Sequence, residues 1–160
     1  MTSTHGPDPT ELLGTRLRRL LELLDSEVAA VYAELGLPGF RLRYAPILRV
    51  LATSGPASIR ELADAIGVTH SAASQTVTQL ARDELVTVSL GEDARQRIVR
   101  LAPQASRIVS VVNAEWVATV AAARELEAEL PYSMSQLIDE MFAALERRSL
   151  RSRVVAHFSG

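Results

Sequence analysis

The chain has 160 residues, 48% of them hydrophobic and only 4% aromatic, with a formal net charge of −2. That length and apolar content suit one domain, or one domain with a dimerisation extension, packed mainly from Ala, Leu and Val. The absence of Cys excludes disulfides and a thiol-based peroxide sensor. No apolar run approaches the roughly 20 residues a bilayer-spanning helix needs. No signal peptide is visible in the first residues either, so a cytoplasmic protein with no membrane partner is expected.

Residues 1–7 are polar and patternless and are expected to be disordered. Asp8-Pro9-Thr10-Glu11 reads as a helix start, with Asp8 at the N-cap, Pro9 at N1 and Glu11 at N3. From there Leu13, Leu17, Leu20, Leu24, Val28, Val31 and Leu35 recur in steps of four and three. This seam has heptad-like spacing and ends at Gly36 and Pro38. It is either one helix of an intramolecular bundle or part of an interface between two chains. Phe40 to Thr53 holds a second helix with Tyr44, Ile47, Leu48 and Leu51 on its apolar side. Pro46 shapes the first turn of that helix, and Ser54-Gly55-Pro56-Ala57 breaks the chain.

The stretch Ser58–Leu101 is the organising one. Ser58 and Glu61 form a capping box. Ile59, Leu62, Ala63 and Ile66 share a helical face, and Gly67 ends the helix. Thr69 can cap the next helix, which runs to Glu84. That helix carries a narrow apolar stripe of Ala73, Val77, Leu80 and Ala81. The rest of its surface is short hydroxyls and amides, which are mediocre helix formers but suit base edges and phosphates. A recognition helix is therefore expected, with His70, Ser71, Ser74 and Gln75 as central DNA contacts and Thr69, Thr76 and Gln79 flanking them.

Leu85–Leu90 alternates as a short strand, Gly91-Glu92-Asp93-Ala94 is turn chemistry, and Ile98, Val99 and Leu101 make the return strand. Arg95 and Arg97 stand between the strands, and Arg100 lies on the return. A guanidinium at such a hairpin tip can enter a narrow minor groove, with Asp93 positioned to hold Arg95. For Arg97 a solvated charge is an equal reading. Gln104–Leu130 reads as a long helix containing Trp116. After Pro131, Ser133 and Gln136 open a final helix carrying Leu137, Ile138, Met141, Phe142, Leu145 and Leu150. Val154 to Phe158 is an apolar tail.

The order helix–helix–strand–wing–strand, with ELADAIGVTHSAASQTVTQLARDELV, then Asp93-x-Arg95 and Val99-x-Leu101-Ala102-Pro103, resembles the MarR family of transcriptional regulators. Ala102 stands where the family commonly has Thr, and Glu84 where it often has Gly. The resemblance implies a mainly α fold with a small β-wing: a winged helix-turn-helix over residues 40–103, and helical dimerisation regions over 8–36 and 104–158. It favours the interface reading for Leu13, Leu17, Leu20 and Leu24, and adds Leu137, Met141 and Leu145. It also implies a ligand cavity near the second helix. Tyr44, Arg49 and Trp116 are the candidates there, and a small aromatic or anionic effector is the candidate ligand.

The expected function is sequence-specific regulation of transcription, most often repression, by a homodimer on palindromic double-stranded DNA, without a cofactor or metal. Two other readings compete. A winged-helix interaction module without DNA binding is favoured by the acidic balance, because non-specific DNA affinity comes mainly from phosphate neutralisation. A hydrolytic enzyme is disfavoured, because there is no glycine-flanked nucleophile elbow and no HExxH or Cys/His ligand set.

Overall fold

The computed structural model describes residue 8, residues 10–91 and residues 96–158. The helices are α1 (Leu13–Glu34), α2 (Tyr44–Ser54), α3 (Ile59–Ile66), α4 (His70–Arg82), α5 (Ser106–Ala128), α6 (Met134–Arg147) and α7 (Leu150–Ala156). Three strands, β1 (Ala57–Ser58), β2 (Val86–Leu90) and β3 (Arg97–Leu101), form one antiparallel sheet in the order β1-β3-β2. The expected mainly α architecture with a small β-wing is the one observed. The chain divides into two compact units, Met1–Trp116 and Val117–Gly160, and α5 crosses the division.

The core lies in the first unit. Ile47 and Leu48 of α2, Leu62 of α3, Leu80 of α4, Val99 of β3 and Val112 of α5 are fully buried there. Burying a large aliphatic side chain stabilises by about 1.5–3 kcal/mol, so this cluster fixes α3, α4 and the sheet on α2. The capping box forms as expected: Glu61 N–H donates to Ser58 Oγ (3.2 Å) and Ser58 N–H to Glu61 Oε2 (2.7 Å). Those bonds hold the exposed Glu61 carboxyl below the ordinary carboxylate range. Gly67 closes α3 in the left-handed conformation (φ 69°), and Val68 N–H returns to Ala63 O at 3.0 Å. Only Gly takes that conformation without a Cβ penalty.

Several boundaries differ from the sequence reading. The first α-helical residue is Leu13, not the residue after Asp8. Asp8 instead accepts from Thr10 N–H through its side chain (2.7 Å) and from Glu11 N–H through its carbonyl (2.9 Å), which makes a turn ahead of the helix. The second helix begins at Tyr44 rather than near Phe40. The strand β1 had no sequence signal, because two residues are too few to show a period. Gln104 belongs to a 3-10 turn (Pro103–Ala105) that precedes α5. The final helix is two helices: Arg148 is extended (φ −154°, ψ 115°), and Ser149 starts α7 by accepting from Ser152 N–H. Arg97 is the first residue of β3, paired with Leu90, rather than part of the turn.

The backbone at Glu84 is unusual. Glu84 sits at φ 58°, the one non-glycine residue with positive φ among the described residues. A left-handed residue with a Cβ costs about 1–2 kcal/mol, and Gly returns part of that gain as unfolded-state entropy. Glu84→Gly is therefore expected to stabilise by up to about 1 kcal/mol. The check is a higher urea midpoint at unchanged slope; a lower midpoint would mean that the Glu84 side chain earns its place through contacts.

Within the second unit, α6 and α7 bury no residue. Ser133 caps α6, and Glu127 Oε1 accepts from both Ser135 N–H (2.6 Å) and Ser135 Oγ (2.7 Å). Among the described residues, no helix is long and apolar enough to cross a membrane.

Candidate nucleic-acid interface

Helix α4 begins where the sequence places it. Thr69 is the N-cap, and its hydroxyl accepts from Ala72 N–H at 3.2 Å. Ala73, Val77 and Leu80 seat the helix, being 1%, 2% and 0% exposed. The opposite surface is polar: Thr69, His70, Ser71, Gln75, Thr78 and Arg82 are exposed, while Ser74, Thr76 and Gln79 are half-buried. A narrow anchored stripe with a broad polar face is what a helix needs to lie in a groove without losing its hold on the domain.

Two hydroxyls on this surface are already committed. Thr76 Oγ1 donates to Ala72 O (3.0 Å) and Thr78 Oγ1 to Ser74 O (2.8 Å). Each has given its one proton to the helix and keeps only acceptor lone pairs and a methyl group for a ligand. Gln79 is engaged as well, since its Oε1 accepts from the guanidinium of Arg43. No local signal in the sequence pairs Arg43 with Gln79, because 36 residues separate the partners.

The same edge carries a second link. Arg41 pairs with Asp83 Oδ2 at 3.0 Å, Tyr44 Oη donates to that same oxygen at 2.7 Å, and Arg41 donates to Tyr44 Oη. Burial, then the bond to Asp83, raise the Tyr44 phenol above its ordinary pKa, while Arg41 works the other way. Arg41 and Asp83 are about half exposed, so the ion pair itself contributes little to stability. Its effect is geometric, tying the start of α2 to the end of α4.

The wing stands on β2 and β3, paired from Val86↔Leu101 to Leu90↔Arg97. Gly91 N–H closes the hairpin onto Gln96 O at 2.8 Å. Arg97 is exposed at the outer end of β3. Asp93 and Arg95 lie outside the described residues.

A cleft of about 310 Å³ opens beside this edge, lined by Leu37, Phe40, Arg41, Tyr44, Asp83 and Ile108 among others. Of the three cavity candidates, only Tyr44 lines it. Arg49 stacks over the Trp116 ring instead, 4.9 Å from its centroid. Among the described residues, no group of His, Asp and Glu could hold a metal ion.

The seam residues Leu13, Leu17 and Leu24 are 45%, 45% and 39% exposed, and Leu20 is half-buried. Of α1, only Tyr32 is buried. Leu137, Met141 and Leu145 of α6 are likewise exposed, at 52%, 51% and 39%.

Helix, glycine turn, seated polar helix and two-stranded wing define a winged helix-turn-helix protein. Residues 39–96 match the family model described as the MarR family. No curated protein matches the sequence. Solved structures share the fold at low identity. One is the PcaV transcriptional regulator from Streptomyces coelicolor, in complex with its natural ligand (14% identity, TM-score 0.63, covering 91% of this chain and 99% of that one). Another is MepR from S. aureus in complex with DNA (15%, TM-score 0.60, 83% and 95%). A third is a MarR family transcriptional regulator from Silicibacter pomeroyi (23%, TM-score 0.54, 92% and 99%).

Proposed function

We propose that the protein is a homodimeric, sequence-specific DNA-binding transcriptional regulator. It represses from a palindromic operator and is released by a small aromatic or anionic effector. The observation that carries this reading is α4, which is anchored by three buried residues and presents His70, Ser71 and Gln75 to solvent with Ser74, Thr76 and Gln79 at the margin. The chemistry of that face matches base edges and phosphates better than it matches a merely solvated helix. Arg97 at the outer end of β3 supplies the minor-groove contact, together with Arg95 and Asp93 just before it in the sequence.

Dimerisation is supported by the apolar surface each unit leaves uncovered, Leu13, Leu17, Leu20 and Leu24 on α1 and Leu137, Met141 and Leu145 on α6. Exposed apolar side chains in such number mark an interaction surface. The effector reading draws on the cleft, which is at the lower end of the size of small-molecule sites. Arg41 and Tyr44 there offer a cation and a phenol to an anion or a ring. Differential binding to two dimer geometries would shift their populations and so change the spacing of the recognition helices. The fold is compatible with both kinds of partner, since MepR was solved with DNA and PcaV with its natural ligand.

The test is fluorescence anisotropy of the full-length protein on duplex DNA from upstream of its own coding sequence, with scrambled duplex as competitor, over a salt series. Saturable binding that survives the competitor and weakens with salt is expected, and Arg95→Ala should weaken it about five- to tenfold through loss of one weak groove contact in each half-site. Equal binding to both duplexes would contradict the reading. The net charge of −2 supports one other reading, a winged-helix interaction module, which predicts no DNA binding at any salt concentration.

A further inference from the structure

Gln79 does not stand free on the recognition helix. Its carboxamide is met by Arg43 at the N-cap of α2. A guanidinium carries donors only, so the amide atom that faces it must be the oxygen, and the NH2 group must turn away. This settles the amide orientation on chemical grounds, independently of how its two end atoms are assigned. Arg43 is in turn well placed to hold that geometry. Its backbone is helical (φ −60°, ψ −13°), and the helix it caps is rooted by Ile47 and Leu48, both fully buried. Two residues earlier, Arg41 ties the same chain segment to Asp83 at the end of α4. The side chain that orients Gln79 thus stands on a backbone fixed at both the core and the helix end.

The consequence is chemical. A freely rotating glutamine pairs bidentately with adenine, accepting from N6–H through its oxygen and donating to N7 through its nitrogen. With the oxygen already accepting from a cation, its second lone pair is a weaker acceptor and the carboxamide is held toward Arg43, so that pairing is weakened. The NH2 group is then the stronger partner, a donor, and the base edges that answer a donor are those presenting acceptors. Guanine presents two in the major groove, N7 and O6, and thymine one, O4, whereas cytosine presents a donor. We propose that Arg43 is a positioning residue that makes Gln79 read chiefly as a donor, selecting guanine before thymine and disfavouring bidentate adenine at one position of each half-site. The proposal rests on the reading of α4 as the DNA-recognition helix.

The test is selection from duplexes with a randomised core, using the full-length wild type, Gln79→Ala, Arg43→Ala and Arg43→Lys, with the bound pools sequenced. The wild type is expected to enrich guanine at a position whose preference Gln79→Ala erases. Arg43→Ala should turn that same position toward adenine, changing the guanine-to-adenine ratio by about tenfold, the scale of one lost bidentate preference. The other positions should stay as they are. Arg43→Lys keeps a donor for Oε1 and should keep guanine. A general loss of stability would lower affinity at every position and could not move one preference alone. The proposal is overturned if Arg43→Ala and the wild type select the same base at the Gln79 position, or if the wild type prefers adenine there. A wild-type pool with no enriched motif would instead remove the DNA reading, and this inference with it.

Discussion

Ser71→Glu is expected to reduce operator affinity by at least about 30-fold while leaving the fold as stable as before or slightly more so. Ser71 is exposed, two residues into α4 after the Thr69 cap. A carboxylate there faces the positive end of the helix dipole, which stabilises by about 0.3–1 kcal/mol. On DNA the same carboxylate replaces a hydroxyl contact and meets the phosphates. One lost base contact costs about 1–3 kcal/mol, and a dimer suffers it twice. The sum is about 2–6 kcal/mol, or between about 30-fold and 10⁴-fold in affinity. Opposite movement of the two readouts is the informative result. A variant that is more stable and still binds DNA normally would take Ser71, and with it the N-terminal turn of α4, out of the interface.

Tyr32→Phe should be destabilising at neutral pH and less sensitive than the wild type at alkaline pH. Tyr32 and Glu115 are 1% and 4% exposed, and the phenol donates to Glu115 Oε2 at 2.6 Å. This bond joins α1 to α5 inside the first unit. Removing the hydroxyl from a buried, charge-assisted bond costs about 1–3 kcal/mol. Burial first, then the bond and the charge of Glu115, push the Tyr32 phenol well above its unfolded value of 10.0. The folded state therefore keeps a proton that the unfolded state loses. Stability from this group is complete below about pH 10 and falls as the pH rises beyond it, by about 1.4 kcal/mol per unit.

The sequence makes this limb easy to isolate. It has no Cys, and every basic side chain other than His is Arg, so neither a thiol nor an ammonium side chain adds to the alkaline limb. Tyr44 is raised in the same direction and leaves a residual slope in the variant. Urea midpoints from neutral pH to beyond pH 10 should show wild-type and variant curves converging. Parallel curves would mean that Tyr32 keeps its ordinary pKa in the folded protein.

The winged helix was legible because its signals are local. The Ser58–Glu61 box, Gly67, the Thr69 cap and the Ala73–Val77–Leu80 stripe lie within a turn or two of one another, and each forms as read. Gln75 and Ser71 could be placed on the polar face from helical period alone. What escaped was set by distance along the chain or by side-chain competition. Arg43 meets Gln79, and Arg41 and Tyr44 meet Asp83, across gaps that no period encodes. The Arg49–Trp116 stack, away from the cleft that Tyr44 lines, depends on how α2 crosses α5. Asp8 showed the limit of a terminal signal, since its side chain and carbonyl make a turn while the helix waits for Leu13. Glu84 is the converse case: it stands where the family that the sequence resembles often has Gly, and the backbone there takes the left-handed turn with a Cβ in place.

In the proposed complex, two copies of α4 enter successive major grooves of one DNA site. Sequencing of duplexes that the wild-type protein selects from a fully randomised core tests it most directly. An enriched inverted repeat is expected, with half-site centres about one helical turn, roughly 10 base pairs, apart. A pool with no enriched sequence, or one enriched only for a single asymmetric half-site, would contradict it.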